Sequence, residues 1–397
     1  MQQQNKNSEF EGFCYSGERF ADLQMLRYRL NGFESLSLRQ KLYVYYLSKA
    51  TLAGRDITTD QFGFYNLDIR KVLEAVYVNY QGNKECEDFI AMTIYLKRIW
   101  FSNGIYHHYG SEKFAPEFSP AFLLDAMKSI EPSLLPLAKG ETVDGLFDRL
   151  KSAIFDHSFL PKKVNKADGC DLVATSACNF YHNVSQHEVE DYYSSLKATV
   201  EKNPPSFGLN SRLVKQNGEL IEQVWKIDGM YSKAIEIIVS YLRQAAEYAE
   251  NEQQQKIISL LISYYQTGDL RVFDKYSIEW LKEQDGRIDF INGFIEVYND
   301  PLGVKASWEG IVEYKDLVAT RRTRTISDNA QWFEDNSPVD SRFKKKIVKG
   351  VTANVVCAAM LGGDEYPSTA IGINLPNADW IRAEHGSKSV TIGNLTD

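Results

Sequence analysis

Cysteine is scarce in this chain. Five residues, Cys14, Cys86, Cys170, Cys178 and Cys357, occur among 397. They are odd in number, widely spaced and never form a C-x-x-C pair, which argues against a disulfide scaffold or a zinc ribbon. Reduced thiols are the expectation, and they favour a cytoplasmic setting. Long apolar runs are also missing. No stretch reaches about 18 apolar residues, so no membrane span is expected. Mean hydropathy is −0.36. An excess of positive charge is absent too. The 45 Lys and Arg face 53 Asp and Glu, a formal net charge of −8, which speaks against a nucleic-acid partner. The opening residues, Met1-Gln2-Gln3-Gln4-Asn5-Lys6-Asn7, are polar and form no signal peptide, and they equally fit the start left after one is removed. Neither G-x-x-x-x-G-K-[ST] nor G-x-S-x-G occurs, so the P-loop and the common hydrolase elbow are excluded.

What remains is globular material, 44% apolar and 25% charged. The length allows roughly two or three domains. The first 150 residues read mostly as helices. Ser37 with Gln40 has capping-box spacing, and Leu38, Leu42, Tyr45 and Tyr46 follow as an apolar stripe that Gly54 would end. Residues 68–78 and 87–100 continue the pattern, and Ser119-Pro120 opens another helix. Asn217-Gly218, between apolar-rich runs, predicts a hairpin with strands near 210–216 and 219–226. Ile235, Ile238, Leu242, Ala245, Ala246 and Ala249 predict a helix from Tyr231. Further helices are expected at 252–266, stopped by Gly268, and at 273–282. Residues 288–297 read as extended and 308–325 as helical. The stretches 348–361, 370–377 and 388–393 read as strand material.

Few clusters could carry chemistry. His187-Glu188 begins like a zinc helix but has no His at position 191, and His182 lies off its face. His107-His108 reads as a loop. Gly362-Gly363-Asp364 is a short turn, weak as a phosphate cradle. The basic runs at 321–324 and 344–346 read as solvated faces. Glu296 and Tyr298 stand apart. Two residues apart in an extended run, they face one side and offer a carboxylate and a phenol. Such a pair suits a cation and a polarised carbonyl, against the plainer reading of a solvated sheet face. Glu296 with Glu309 would also suit glycoside chemistry, which nothing else in the chain supports. Asn374 and Asn377 flank Pro376, where a strand must stop. Their amides could orient a polar ligand or simply form an exit turn.

The runs Gly293-Phe294-Ile295-Glu296-Val297-Tyr298-Asn299-Asp300-Pro301-Leu302-Gly303, Trp308-Glu309-Gly310 and Ile373-Asn374-Leu375-Pro376-Asn377 together resemble the dipeptidyl peptidase III family of zinc exopeptidases, in its bacterial, Bacteroidetes type. The likeness is clear from about residue 205 onward and weaker before. It implies an α+β fold, a two-lobed metallopeptidase. This chain would supply mainly the lobe with a five-stranded β-barrel core surrounded by helices. By resemblance, residues 1–316 and 358–397 belong to that substrate-binding lobe, and 317–357 begin the helical zinc lobe. The activity implied is release of dipeptides from the N-terminus of oligopeptides. Oligopeptides would be clamped as an added strand along Ile371, Gly372 and Ile373. Glu296, Asn374 and Asn377 would bind the free ammonium, Tyr298 would donate to the scissile carbonyl, and Glu309 would line the cleft. The family's H-E-x-x-G-H zinc motif is absent here. The expectation is therefore an N-terminal part, with zinc a cofactor of the complete enzyme and none bound by this chain. Alone the chain would be inactive, its partner being the remaining zinc-lobe segment of the same protein. No nucleic acid and no membrane are expected as partners. The alternative is a non-catalytic, helix-rich module with a peptide-binding sheet edge.

Overall fold

Ser37 does what its spacing predicts. Its hydroxyl accepts from the Gln40 amide while the Gln40 side chain accepts from the Ser37 N–H, closing a capping box at the start of a long helix. Replacing Ser37 by Ala should cost about 1 kcal/mol, read as a lowered denaturation midpoint with an unchanged denaturant slope.

The computed structural model describes residues 12–348, 351–367 and 369–395. An antiparallel pair, β1 (Ser16–Phe20) and β2 (Leu23–Leu26), precedes the helices. It is held to them by the Arg98–Asp22 ion pair at 2.5 Å and by Phe20 edge-on to Phe101. Then come α1 (Leu38–Ala53), α2 (Arg55–Gln61), α3 (Asn66–Asn79), α4 (Glu87–Ser102), α5 (Pro120–Lys128) and α6 (Val143–Phe155). Helices α3 to α6 enclose an apolar core of their own, with Leu73, Met92, Leu96, Leu123 and Leu150 at its centre. Next follow β3 (Tyr181–His182), α7 (Gln186–Ala198), β4 (Ser211–Gln216) and β5 (Glu219–Val224). Strands β4 and β5 form the hairpin that Asn217-Gly218 predicts, both turn residues having positive φ.

Helices α8 (Ser232–Tyr248), α9 (Glu252–Thr267) and α10 (Leu270–Lys282) match expectation, and Gly268 ends α9 in the left-handed conformation. The remaining elements are β6 (Ile288–Glu296), β7 (Ser307–Lys315), α11 (Leu317–Asp328), α12 (Ala330–Asn336), β8 (Val351–Gly363), β9 (Gly372–Leu375), α13 (Asp379–His385) and β10 (Ser387–Ile392). The expected helix over 308–325 is therefore a strand to Lys315 and a helix only afterwards. Trp308, Ile311 and Val312 mimic helical spacing, but every residue of β7 is buried, so polarity does not alternate along the strand. Strand β8 runs through residues 357 and 358 without a break.

Five strands form one mixed sheet in the order β6-β7-β8-β10-β9. The closed barrel expected from the resemblance is not present: among the described residues no ladder joins the two edge strands, β6 and β9. Pro376 supplies no N–H beyond Leu375, and side chains of α10 and α13, among them Phe273, Trp280 and Ile381, line a small cavity between the edges. Helix α1 covers the other part of the sheet. Gly310 and Gly362 are register partners on β7 and β8, and both lie beneath Thr51 of α1. A Cβ would approach that side chain to 2.9 Å at Gly310 and 2.6 Å at Gly362. Gly362 therefore serves helix–sheet packing rather than a phosphate turn.

A carboxylate-walled candidate active site

Strand β6 carries one extra residue near its end. Phe294 pairs with Trp308 and Glu296 with Ser307, leaving Ile295 as a bulge. The bulge re-aims the strand, burying Phe294 while Glu296 turns to an open cavity. Tyr298 stands in the turn after β6 and lines the same cavity. Its hydroxyl lies close to the Glu296 carboxylate, whose charge is the main cause of a phenol pKa above its usual value. The ring itself is 72% exposed. Behind Tyr298 the chain is locked. The Asp300 carboxylate accepts from the N–H groups of Leu302, Val304 and Lys305 at 3.2, 2.8 and 2.8 Å, and from the Tyr181 hydroxyl at 2.8 Å. Lys305 is fully buried and donates to the Tyr193 hydroxyl at 2.6 Å, and burial pushes its ammonium down to about 8.

The cavity encloses about 780 Å³. Glu296 and Tyr298 share it with Glu309 of β7 and with Asp364 and Glu365, which follow β8. Glu309 is 1% exposed, and its Oε2 has no hydrogen-bond partner. Desolvation raises its pKa well above the carboxylate range, and Glu365, Asp364 and Glu296 add to the rise in that order. Burial pushes Glu365 up to about 7, against a weak hydrogen bond from the Ala370 N–H at 3.5 Å. Asp364 is also raised by burial, although the Asn299 amide donates to both its oxygens at 2.9 Å. The cavity's other lining includes Lys163 and His108. Lys163 lies 4.2 Å from the centre of the Phe62 ring, and burial lowers its pKa. His108 is lowered to about 4 by burial, then by His107 and Lys163, so it is neutral at pH 7.

The other sequence-predicted residues lie along β9. Ile371 is exposed, and so are Gly372 and Asn374, while Ile373 is half-buried. The Ile392 N–H donates to the Ile371 carbonyl at 2.9 Å, and Ile373 and Leu375 continue the register with Val390 and Lys388. Antiparallel alternation therefore turns the main-chain groups of Gly372 and Asn374 to the outer edge, where no strand pairs among the described residues. This edge begins beside the cavity, since Ala370 lines it. Asn377 donates to the Ile295 carbonyl at 3.4 Å, next to Glu296, but also borders the small apolar gap between β6 and β9. The structure thus gathers Glu296, Tyr298 and Glu309 in one cavity and leaves Asn374 on an exposed strand.

Sequence reading missed Asp364, Glu365, Lys163 and His108 as cavity residues. Two adjacent carboxylates after Gly362-Gly363 were the available signal for the first pair. Lys163 had none. Among the described residues no group of three or more His, Cys, Asp and Glu is placed to hold a metal ion, so the residues present do not fit the implied zinc. His187 instead pairs with Asp191 on the surface. The five cysteines are free thiols, Cys178 and Cys357 being buried. Among the described residues no helix is long and apolar enough to cross a membrane.

The sequence profile of peptidase family M49 matches residues 174–397. The chain belongs to this family. Dipeptidyl peptidase 3 of Dictyostelium discoideum is 24% identical over 393 residues, which covers 93% of this chain and 55% of that protein. Two solved structures share the fold. DPP III from Caldithrix abyssi superposes with a TM-score of 0.64 at 19% identity, covering 91% of this chain and 56% of the other. Dipeptidyl-peptidase III from Corallococcus sp. strain EGB gives 0.65 at 17% identity, covering 93% and 56%. The chain spans about half the length of these relatives. The M49 match includes the whole carboxylate wall, whereas His108 and Lys163 precede it.

Proposed function

We propose that this chain forms the substrate-gripping half of a dipeptidyl peptidase that removes dipeptides from the free N-terminus of oligopeptides. The observation that carries the reading is the shared exposure of Glu296 and Tyr298 to one acidic cavity beside an open strand edge. An oligopeptide adds to β9 through the outward main-chain groups of Gly372 and Asn374, an arrangement tolerant of side-chain sequence. Its N-terminal ammonium, with three donors and no acceptor, meets the Glu296 carboxylate, with the amide oxygens of Asn374 and Asn377 orienting it. Loading of Glu296 by the ammonium frees the Tyr298 hydroxyl to donate to the scissile carbonyl as negative charge develops there. Glu309 lines the cleft.

No step is drawn through zinc, because the described residues offer no set of ligands for it. In this reading the metal belongs to the remainder of the peptidase. That remainder covers residues 317–347, where Trp332, Phe333, Phe343 and Ile347 are exposed.

A cycle of free and N-acetylated peptide against wild type and Glu296→Ala tests the amine site, measured as kcat/KM in the complete peptidase. Removing one partner of a buried charge pair costs about 3–5 kcal/mol, and a cleft open to water reduces this to about 2–3 kcal/mol. Acetylation should do similar damage in wild type. The two losses should not add, because each removes the same interaction. Fully additive losses would detach Glu296 from the amine.

A further inference from the structure

The cavity holds more carboxylates than its cations can neutralise. Glu296, Glu309, Asp364 and Glu365 reach it from three segments, and His108 is neutral there. Of the lysines that line it, Lys163 is buried and feels the Asp364 charge, while Lys162 and Lys166 are exposed to solvent. Four neighbouring carboxyls in a partly dehydrated site cannot all ionise at neutral pH, because each added charge is repelled by the others. Geometry singles out the pair that keeps protons. Glu309 lines the cavity, and its Oε2 is buried and accepts no hydrogen bond. Glu365 receives only the long contact from Ala370. Asp364, by contrast, already accepts from the Asn299 amide, and Glu296 is only half-buried at the strand end.

We propose that Glu309 and Glu365 form a proton-exchange subsite, which holds protons while the cavity is empty and releases them to solvent when a ligand's primary ammonium takes their place. Glu365 thereby becomes a residue that sets the affinity for amines, a role beyond cleft lining. The inference rests on the reading that the cavity receives a peptide amine. The exchange conserves charge: one cation enters and up to one proton leaves to the buffer. It also satisfies Glu309 Oε2, which otherwise lacks a donor, because an ammonium offers three. No three of these groups are placed to close on a metal ion, which favours an ammonium as the occupant.

The sign follows from the groups that face Glu365. Asp364 and Tyr366 lie beside it in the chain, Glu309 reaches it from β7, Glu296 and Tyr298 from the end of β6 and the turn after it, and Lys162, Lys163, Lys166, His108 and Tyr109 also line the cavity. Glu313, deeper on β7, feels its charge. With Glu365 pushed up to about 7, that group is mostly protonated at pH 6.5, and burial raises Glu309 well above the carboxylate range beside it. A peptide α-amine, with a pKa of about 7.7–8.0, is then already charged. Binding at pH 6.5 should therefore release roughly 0.5–1 proton. At pH 8.5 the amine is mostly neutral and must gain a proton to bind, while Glu365 is already ionised, so the net release should be smaller than at pH 6.5.

Calorimetry of this chain with tri-alanine and with N-acetyl tri-alanine, each in two buffers of different ionisation enthalpy, reads the exchange directly. Tri-alanine should bind at least tenfold more tightly than the acetylated form, release protons at pH 6.5 and release fewer at pH 8.5. Glu365→Gln should at least halve the release at pH 6.5, and Glu365→Asp should restore part of it. The wild-type fall in release with pH needs no variant to fold. Preferential binding of tri-alanine with no proton release at pH 6.5 would overturn the exchange and leave the amine site standing. Equal binding of the two peptides, or no binding of either, would overturn the amine reading itself.

Discussion

Tyr298→Phe should lower kcat of the complete peptidase by about 10²–10³, with KM changed much less. Loss of one oxyanion-hole donor has this size, because the donor acts where charge develops and does little for the ground state. The ring is 72% exposed, so folding stability should stay within about 0.5 kcal/mol of wild type. That separation matters, because a fall in activity then cannot be assigned to unfolding. The hydroxyl is also prepared in advance. The Glu296 carboxylate stands close to it, and the Asp300 carboxylate fixes the turn behind it through three main-chain donors and Tyr181. A Phe variant with kcat within about twofold of wild type would remove Tyr298 from the chemistry and leave it as a rim residue.

The second large effect lies in the sheet, away from the cavity. Lys388→Met should destabilise the chain by about 3–5 kcal/mol, the usual result of leaving a buried charge without its partner. Lys388 is 1% exposed and donates to Asp289 Oδ2 at 2.8 Å, with its ammonium 3.9 Å from the Trp280 ring centre. Asp289 also accepts from the Trp280 indole N–H at 2.9 Å and sits opposite Glu313 in the β6–β7 register. Glu313 is pushed up to about 8, first by burial and then by Asp289, while Lys388 pulls it down. Met would remove the cation that both carboxyl groups feel. Asp289→Asn keeps an acceptor for the indole while removing the charge. The double variant Lys388→Met/Asp289→Asn should therefore recover more than half of the loss, as seen in denaturant midpoints. If the two single losses simply add, the buried pair contributes no coupling, and Lys388 acts through packing on Trp280 alone.

The two predictions draw on features of different legibility. Glu296 and Tyr298 could be paired from chain positions two apart, because neighbours in sequence stay within a few ångströms, although Tyr298 stands in the turn after β6 and not in the extended run expected for it. The Lys388–Asp289 pair could not, because β10 and β6 are distant in sequence and are not neighbours in the sheet. The Glu309–Glu365 juxtaposition has the same origin. In the helical reading of 308–325, Glu309 and Glu313 lie one turn apart on a solvent face. In the strand both are buried, and β7 carries Glu309 to the cavity that Glu365 reaches from the end of β8.

The sequence by itself determined the features whose causes lie within a few residues. The capping box at Ser37, the Asn217-Gly218 hairpin, the Gly268 helix stop and the Glu296–Tyr298 pairing all depend on local hydrogen bonds and local backbone conformation. Its resemblance to known peptidases also named the family correctly, because those short motifs are chemically distinctive. Tertiary structure decided the rest. It made residues 307–315 a strand, since burial on both faces erases the alternation that marks one. It left the five-stranded sheet open, with Pro376 and side chains of α10 and α13 lining the gap between its edge strands. It also assembled the carboxylate wall, because only the folded sheet brings β7 and the end of β8 together, and burial there raises the pKa of those acids.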